Sequence, residues 1–423
     1  MRLSLYNSRI NLNNQTDLLY NSASDRFLLI KRSVDISHLD KLNEVTYQQL
    51  QNGEFIVDDD IDEYERVINR TTTNFFNSDR VTLIINTTLN CNFNCWYCFE
   101  THNQATTMSP EIVGNIISLV NNFSSQGKFI EVSFFGGEPL LQYKRSVVPI
   151  ADYLYSLKKS VGLRYTINFT TNGYLLNERR IKYLKSVGTD LFQITLDGGR
   201  DFHNKTRQSK LGDSYDKIIR NIRLISHYGM TVLLRINTTK DNIMSVESII
   251  DDLDDLSSDE KSNIVVKIHQ VWQDEANLND IQNKLTFLFG EHGFQSSKQL
   301  MNNLKRPCYA DCVNSFVVNY NGDVYKCTAI DFLNTKRDGY LNSDGIIIEE
   351  NNAFKSRAEN RFKNSKCKAC RIFPICGGGC SQKPIHFNGK DYCIFKDDED
   401  LKNDVILDRF IFNIRSNPKW SAK

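Results

Sequence analysis

The 423-residue sequence lacks any uninterrupted apolar run of about 18 residues, so it offers no transmembrane helix. Its opening, MRLSLYNSRINLNNQ, turns polar too soon for a secretory signal peptide. Neither sign of charge dominates: 52 basic against 51 acidic residues leave a net charge of +1. No global field recruits nucleic acid or membrane, and neither is expected as a partner. No internal repeat or long low-complexity segment is present. Cysteine is missing from one long stretch, between Cys98 and Cys308, and its 11 occurrences crowd into 91–98 and 308–393. Structural core cysteines would scatter along strands and helices. The odd total also argues against a fully paired secreted framework, which leaves the cytoplasm as the expected compartment.

What remains is ordinary globular material: 40% hydrophobic and 24% charged residues over a length that suits two or three domains. Within it, Cys91-Asn-Phe-Asn-Cys95-Trp-Tyr-Cys98 supplies three thiolates from one short loop. Structural zinc sites close with four ligands, and disulfide frameworks need pairs. Three thiolates suit a cubane [4Fe–4S] cluster with its fourth iron open to an outside molecule. This CxxxCxxC loop resembles the signature of the radical S-adenosylmethionine (radical SAM) enzymes.

From about residue 81, apolar runs alternate with amphipathic stretches. Strands are expected at 81–88, 129–135, 164–171, 191–196, 231–237 and 263–272, with helices at 110–122, 144–159, 178–187, 214–228 and 243–256. Six strands alternating with helices argue for an α/β fold with a parallel sheet, a partial (β/α)6 TIM-type barrel whose ligands gather at the carboxyl ends of the strands. The acidic stretch Asp251–Glu260 reads as a solvated helical face, and the Lys- and Arg-containing tail at 414–423 is expected to fray.

Several motifs fall at that rim. The second strand runs into Gly136-Gly137-Glu138-Pro139, where paired glycines let a ligand approach the backbone closely and Glu138 offers a carboxylate to an ammonium. Placed about 40 residues after the cysteine loop, it resembles the radical SAM motif that holds the methionyl amino group. The third strand ends at Asn172. Thr195 on the fourth strand and Arg207 twelve residues later resemble the pair that contacts the SAM carboxylate and ribose, with threonine where serine is more usual. Tyr97 is placed to pack beside a bound adenine or to shield the cluster, and Asn237 joins the set from the fifth strand. His269 is a weak candidate for touching substrate.

The eight later cysteines follow a second pattern. Nine residues separate Cys312 from Gly322 and four more lead to Cys327. Then come Cys367-x2-Cys370-x5-Cys376-x3-Cys380 and, last, Cys393. This is similar to the SPASM extension of radical SAM enzymes, with Cys308 as one additional thiol. A zinc ribbon built from Cys367, Cys370, Cys376 and Cys380 would strand the others. The resemblance implies two auxiliary [4Fe–4S] clusters, the inner one on Cys308, Cys312, Cys327 and Cys380, the outer one on Cys367, Cys370, Cys376 and Cys393. It therefore implies three clusters and SAM as cofactors, and a small electron-donor protein such as a flavodoxin or ferredoxin as a partner.

The expected division is 1–79, a small α+β unit; 80–300, the radical SAM core; 301–400, the SPASM domain; and 401–423, a helix or tail. The first unit, with expected strands at Leu3–Tyr6 and Arg26–Ile30 and helices near 37–51 and 61–74, resembles winged-helix domains that read leader peptides; an accessory cap is the alternative. Two activities are implied by the resemblance. One is oxidative cross-linking of a ribosomally made precursor peptide, by a thioether or carbon–carbon bond, through a 5′-deoxyadenosyl radical. The other is anaerobic sulfatase maturation, which generates formylglycine. That second family carries a catalytic aspartate directly after the third SPASM-region cysteine, where this chain has Thr328; the nearest acid is Asp331. The peptide reading is preferred on that departure. A non-catalytic iron–sulfur electron carrier would leave the Gly-Gly-Glu-Pro, Asn172 and Thr195/Arg207 positions without a purpose.

Overall fold

The structure, a computed structural model, describes residues 1–77, 79–209, 211–296, 300–382 and 391–416. Two compact units emerge, each built from separated stretches of chain.

Ser78–Gln299 with Asn314–Ala353 form the larger unit. Its centre is a parallel array of β1 (Arg80–Asn86), β2 (Phe129–Phe135), β3 (Tyr165–Thr171), β4 (Thr189–Leu196), β5 (Thr231–Thr238) and β6 (Ile264–Gln270), hydrogen-bonded in that order. Gln295–Ser296 extends the sheet beyond β6, and Ser315–Val318 pairs parallel to β1 before three short antiparallel strands complete eleven. The strand order is linear, so the barrel is partial and does not close.

Strict alternation explains why one face holds the core. In β2, Ile130, Val132 and Phe134 are buried while Glu131, Ser133 and Phe135 are only partly so. Phe134, Phe169 and Phe192 occupy matching register positions on β2, β3 and β4. Their rings stack at 5.0 and 5.3 Å, none more than 1% exposed. Each buried phenylalanine contributes roughly 2 kcal/mol by area, and adjacent rings add to that. The opposite face carries polar side chains.

Helices join the strands: α1 (Pro110–Ser125), α2 (Val148–Val161), α3 (Glu178–Ser186) and α4 (Tyr215–His227). Ser109 caps α1 through the Ile112 amide with Pro110 in its first turn, and Asn177 caps α3. The expected helix at 243–256 is instead broken into a 3-10 turn at Ile243–Ser245 and a single turn at Ser248–Asp251. The Ser245 and Ser248 hydroxyls donate to the backbone carbonyls of Asn242 and Ser245 there, and Ser257 opens a separate helix, Ser258–Ser262, through a capping box with Glu260. The acidic stretch is therefore not one helix.

Met1–Asn77, Leu300–Val313 and Phe354–Lys423 form the second unit. A three-stranded antiparallel sheet (Asn7–Asn11, Thr16–Asn21, Arg26–Lys31) precedes helices Glu44–Asn52 and Glu63–Phe76, capped by Asn43 and Asp62. The first two of these strands were not expected, because asparagine and aspartate mask their alternation. The strand expected at Leu3–Tyr6 shrinks to Arg2–Leu3, paired with Ile56–Val57. The core of this unit is shared between distant segments. Tyr6, Val67 and Phe75 pack with Leu304, Cys367 and Phe373, while Ile10, Leu18 and Tyr20 pack with Ile372, Ile375, Cys376 and Ile406. The chain continues into α5 (Ala353–Asn360) and, near its end, α6 (Glu399–Ser416). Most of the tail expected to fray, 417–423, lies outside the described residues.

Candidate active site

The cysteine loop leaves β1 and is fastened before its first thiol. Thr88 Oγ1 donates to the Thr106 carbonyl at 2.6 Å, and the Leu89 amide donates to Thr106 Oγ1 at 2.9 Å. The amides of Gly137 and Glu138 then donate to the carbonyls of Thr88 and Asn90, at 3.1 and 2.8 Å. A methyl group at Gly136 would lie 2.4 Å from the Thr88 oxygen, and one at Gly137 would lie 2.3 Å from the Asn90 oxygen. What approaches the paired glycines is thus not a ligand, as expected, but the chain itself, immediately ahead of Cys91.

Glu138 is fully buried between the ends of β2 and β3. Its carboxylate accepts from Thr171 Oγ1 at 2.8 Å, the Asn172 amide at 2.8 Å and the Leu140 amide at 3.0 Å. Burial pushes its pKa up, while those hydrogen bonds and the charge of Arg207 pull the other way. Asn172 turns its side chain toward the cysteine loop, with Nδ2 donating to Asn92 Oδ1 at 2.9 Å and lying 3.9 Å from Cys91 Sγ.

Phe93–Cys95 pairs antiparallel with Arg207–Ser209, placing Cys95 opposite Arg207. This brings together residues far apart in sequence. Tyr97 donates its hydroxyl proton to Asp197 Oδ2 at 2.8 Å, and Arg207 Nη1 donates to the Tyr97 oxygen at 2.9 Å and to Asp197 Oδ2 at 3.3 Å. Asp197 is 1% and Arg207 9% exposed. Desolvation raises the Asp197 carboxyl and the Tyr97 phenol above their usual ranges, and the Arg207 charge opposes both shifts. Thr195 sits beside Arg235 in register, Arg235 beside Lys267, and Asn237 beside His269. Asn237 Oδ1 accepts from Arg235 Nε at 2.8 Å. Burial, with Arg235 and Lys267 assisting, holds the His269 imidazole down to about 4, so it is neutral near pH 7. Asp331 accepts from Thr101 Oγ1, the Leu333 amide and Asn334 Nδ2; these bonds hold its carboxyl below the usual range, as suits a turn-capping group.

Sequence reasoning did not single out Asp197, the hub of the Tyr97–Arg207 network. It also passed over Glu100, whose buried carboxyl is pushed up to about 7 and whose Oε1 has no hydrogen-bond partner. A cleft of about 760 Å³ opens beside this network, lined by Trp96, Tyr97, Asp197, Phe202, Lys205 and Asn242 among others. The position of Asp197 just past a strand terminus was the signal available for it.

The thiols fit an iron–sulfur group by their chemistry. Burial pushes Cys91 up to about 12 and Cys98 to about 11, and Cys95 is raised as well. Such thiols stay protonated until a cationic metal centre deprotonates them on binding. Among the described residues, no group of three or more His, Cys, Asp or Glu could hold a single metal ion. Thiolates that ligate different irons of one cluster stand farther apart than ligands sharing one ion. In the second unit, Cys367, Cys370, Cys376 and Cys393 lie within electrostatic reach of one another, with Cys367 and Cys376 pushed up to about 12 and 11 chiefly by burial. Cys308 and Cys312 flank the 3-10 turn Tyr309–Asp311, and Cys380 is exposed. Cys327 belongs to the larger unit, following a strand at Asp323–Tyr325.

Residues 85–255 match the Radical SAM superfamily. This segment is a radical SAM domain. Such domains use a 4Fe–4S cluster and SAM. The whole chain is 24% identical over 355 residues to the cysteine-type anaerobic sulfatase-maturating enzyme of Clostridium novyi, covering 72% of this chain and 89% of that one. It is 27% identical over 187 residues to the Fe-coproporphyrin III synthase of Methanosarcina barkeri, covering 43% of each. Among solved structures, anSMEcpe with bound AdoMet and a Cp18Cys peptide superimposes with a TM-score of 0.54 at 20% identity, covering 71% of this chain and 89% of that one. Streptococcus suis SuiB bound to S-adenosylmethionine gives 0.56 at 15% identity, covering 94% of this chain and 100% of that one. These likenesses fit the partial barrel described above. No helix among the described residues is long and apolar enough to cross a membrane.

Proposed function

We propose that this chain is a radical SAM maturase that oxidatively cross-links a ribosomally made peptide. Bound by Cys91, Cys95 and Cys98 together with SAM, a [4Fe–4S] cluster would supply a 5′-deoxyadenosyl radical able to take hydrogen from an unactivated carbon. The protein's own share is to hold and orient. The Gly136–Glu138 turn fixes the start of the cysteine loop, and Asn172 braces it through Asn92. Tyr97 and Asp197 line the adjoining cleft, and the buried Arg207 holds both by hydrogen bonds. Thr195, Arg235 and Asn237 line the neighbouring strand ends and, with Arg207, offer hydroxyl, amide and guanidinium donors to a carboxylate and a ribose. His269, held neutral near pH 7 by burial, is too weak a base to take a proton from carbon.

The observation that carries the peptide reading is the extent of the fold match. The likeness to SuiB, which has been solved with its precursor peptide SuiA, spans 94% of this chain. That span takes in parts of the chain beyond the 71% covered by anSMEcpe. Sulfatase maturation is the second reading, favoured by the 24% identity to the Clostridium novyi enzyme. Thr328, where that family's aspartate is expected, weighs against it. Anaerobic co-expression with each small open reading frame beside the gene, followed by peptide mass spectrometry, tests both. Loss of two hydrogens per modified site, with fragmentation blocked between two residues, establishes cross-linking. Unmodified precursor peptides, with conversion of a cysteine or serine in a sulfatase-motif peptide to formylglycine, establishes the alternative.

A further inference from the structure

In the second unit, the turn between Cys308 and Cys312 carries Asp311, which is 0% exposed. Two arginines from α5 and its exit converge on it. Arg361 Nη2 donates to Asp311 Oδ2 at 2.5 Å, and Arg357 Nε stands 3.5 Å from Oδ1. Both guanidiniums are buried, at 2% and 7% exposure. Their remaining bonds run to the cysteine-bearing segments: Arg361 Nη1 donates to the Gly377 carbonyl at 2.6 Å, next to Cys376, and Arg357 Nε donates to Ser381 Oγ at 2.7 Å, next to Cys380. Packing there is tight, since a methyl group at Gly377 would lie 2.9 Å from Arg361 Nη1. The Arg361 charge also acts on the Cys367 thiol.

Two buried guanidiniums face one carboxylate, and Arg361 Nε and Asp311 Oδ1 lack hydrogen-bond partners. An excess buried cation is costly unless an anion lies beside it. A cluster ligated by four thiolates is such an anion, and its reduced form carries one further negative charge. Net charge and nearby dipoles set cluster potentials. We infer that Arg357 and Arg361, balanced by Asp311, are positioning residues that raise the reduction potential of a cluster held by Cys367, Cys370, Cys376 and Cys393, making it a readier electron acceptor. This rests on the auxiliary-cluster reading of those cysteines.

The test is an EPR-monitored potentiometric titration of the anaerobically reconstituted full chain, with iron and sulfide assayed in each sample. Arg361→Gln removes one positive charge and should shift the midpoint of the auxiliary signal to lower potential. Asp311→Asn removes the opposing negative charge and should shift it to higher potential, while Arg361→Lys stays near wild type. Shifts of the same sign in Arg361→Gln and Asp311→Asn, or no shift in either, would overturn the inference, because packing damage has no reason to follow charge. Iron loss from Arg361→Gln that Arg361→Lys does not restore would overturn it as well. Wild-type protein holding iron and sulfide for one cluster alone would remove the auxiliary-cluster reading itself, and the assay shows that outcome before any titration begins.

Discussion

Tyr97→Phe deletes one oxygen and leaves the ring in place. That oxygen donates to Asp197 Oδ2 at 2.8 Å and accepts from Arg207 Nη1 at 2.9 Å, between partners only 1% and 9% exposed. A hydrogen bond to a charged group contributes about 1.5–3 kcal/mol net, and a buried charge that loses one recovers little from water. The surviving Arg207–Asp197 contact, at 3.3 Å, has room to shorten and offset part of the loss. The expected cost is about 2 kcal/mol. For a domain of this size each kcal/mol moves the midpoint by roughly 2–4 °C, so Tm should fall by roughly 4–8 °C. Anaerobic differential scanning calorimetry reads this directly. Tyr153→Phe is the control, because its hydroxyl meets Asn121 at 3.3 Å on an exposed surface, and it should move Tm by no more than about 1–2 °C, in keeping with surface changes within about 0.5 kcal/mol. If both variants melted within a degree of wild type, the Tyr97–Asp197–Arg207 network would not be a stabilising element and the argument would fail.

Gly137→Ala drives a methyl group to 2.3 Å from the Asn90 carbonyl oxygen, a backbone atom with nowhere to retreat. Overpacking of this kind costs about 1–3 kcal/mol, and because Asn90 precedes Cys91, iron bound by the first cysteine loop should drop in a colorimetric assay; full iron content with unchanged melting would contradict it. His269 has its imidazole depressed from 6.5 to about 4 in the folded chain. From pH 6.5 downward the unfolded chain therefore binds a proton that the folded chain refuses, and stability falls with pH by up to about 1.4 kcal/mol per pH unit. Urea unfolding of His269→Gln between pH 6.5 and 5 should show a shallower decline than wild type, and parallel curves would refute the burial argument. Cys95→Ala should abolish formation of 5′-deoxyadenosine, followed by chromatography, while iron on the later cysteines persists; undiminished cleavage would sink the assignment of the first loop.

The strands were legible wherever side-chain alternation was clean, as in FIEVSFF, and all six sequential strands appear within about two residues of their expected limits. The first cysteine loop was legible because spacing alone carries its meaning, and the domain match over residues 85–255 takes it in. Long-range pairing was not. Tyr97 and Arg207 are 110 residues apart, and nothing local announces that Cys95 will sit opposite Arg207 on a two-stranded ribbon. Asp197 did not stand out because its role depends on that ribbon. The glycines of the Gly-Gly-Glu-Pro turn were read as room for a ligand, whereas the space is filled by the Thr88–Asn90 backbone. At 243–256 the apolar spacing suggested a helix, and local serine hydrogen bonding outweighed it.

The core shared by the two ends of the chain has a consequence for synthesis. Ile10, Leu18 and Tyr20 find their packing partners in Ile372, Ile375 and Ile406. On a ribosome adding 5–20 residues per second, roughly 15–60 s pass between emergence of the first 77 residues and arrival of those partners. Throughout that interval the amino-terminal strands carry an uncovered apolar face, while the residues of the larger unit are being completed. Cysteines 367 and 376 pack into the same late-completed cores, so the surroundings of those thiols are finished only at the end of synthesis. A truncation, ribosomal stall or chaperone shortage late in translation would therefore strike the amino-terminal segment and the carboxy-terminal thiols together.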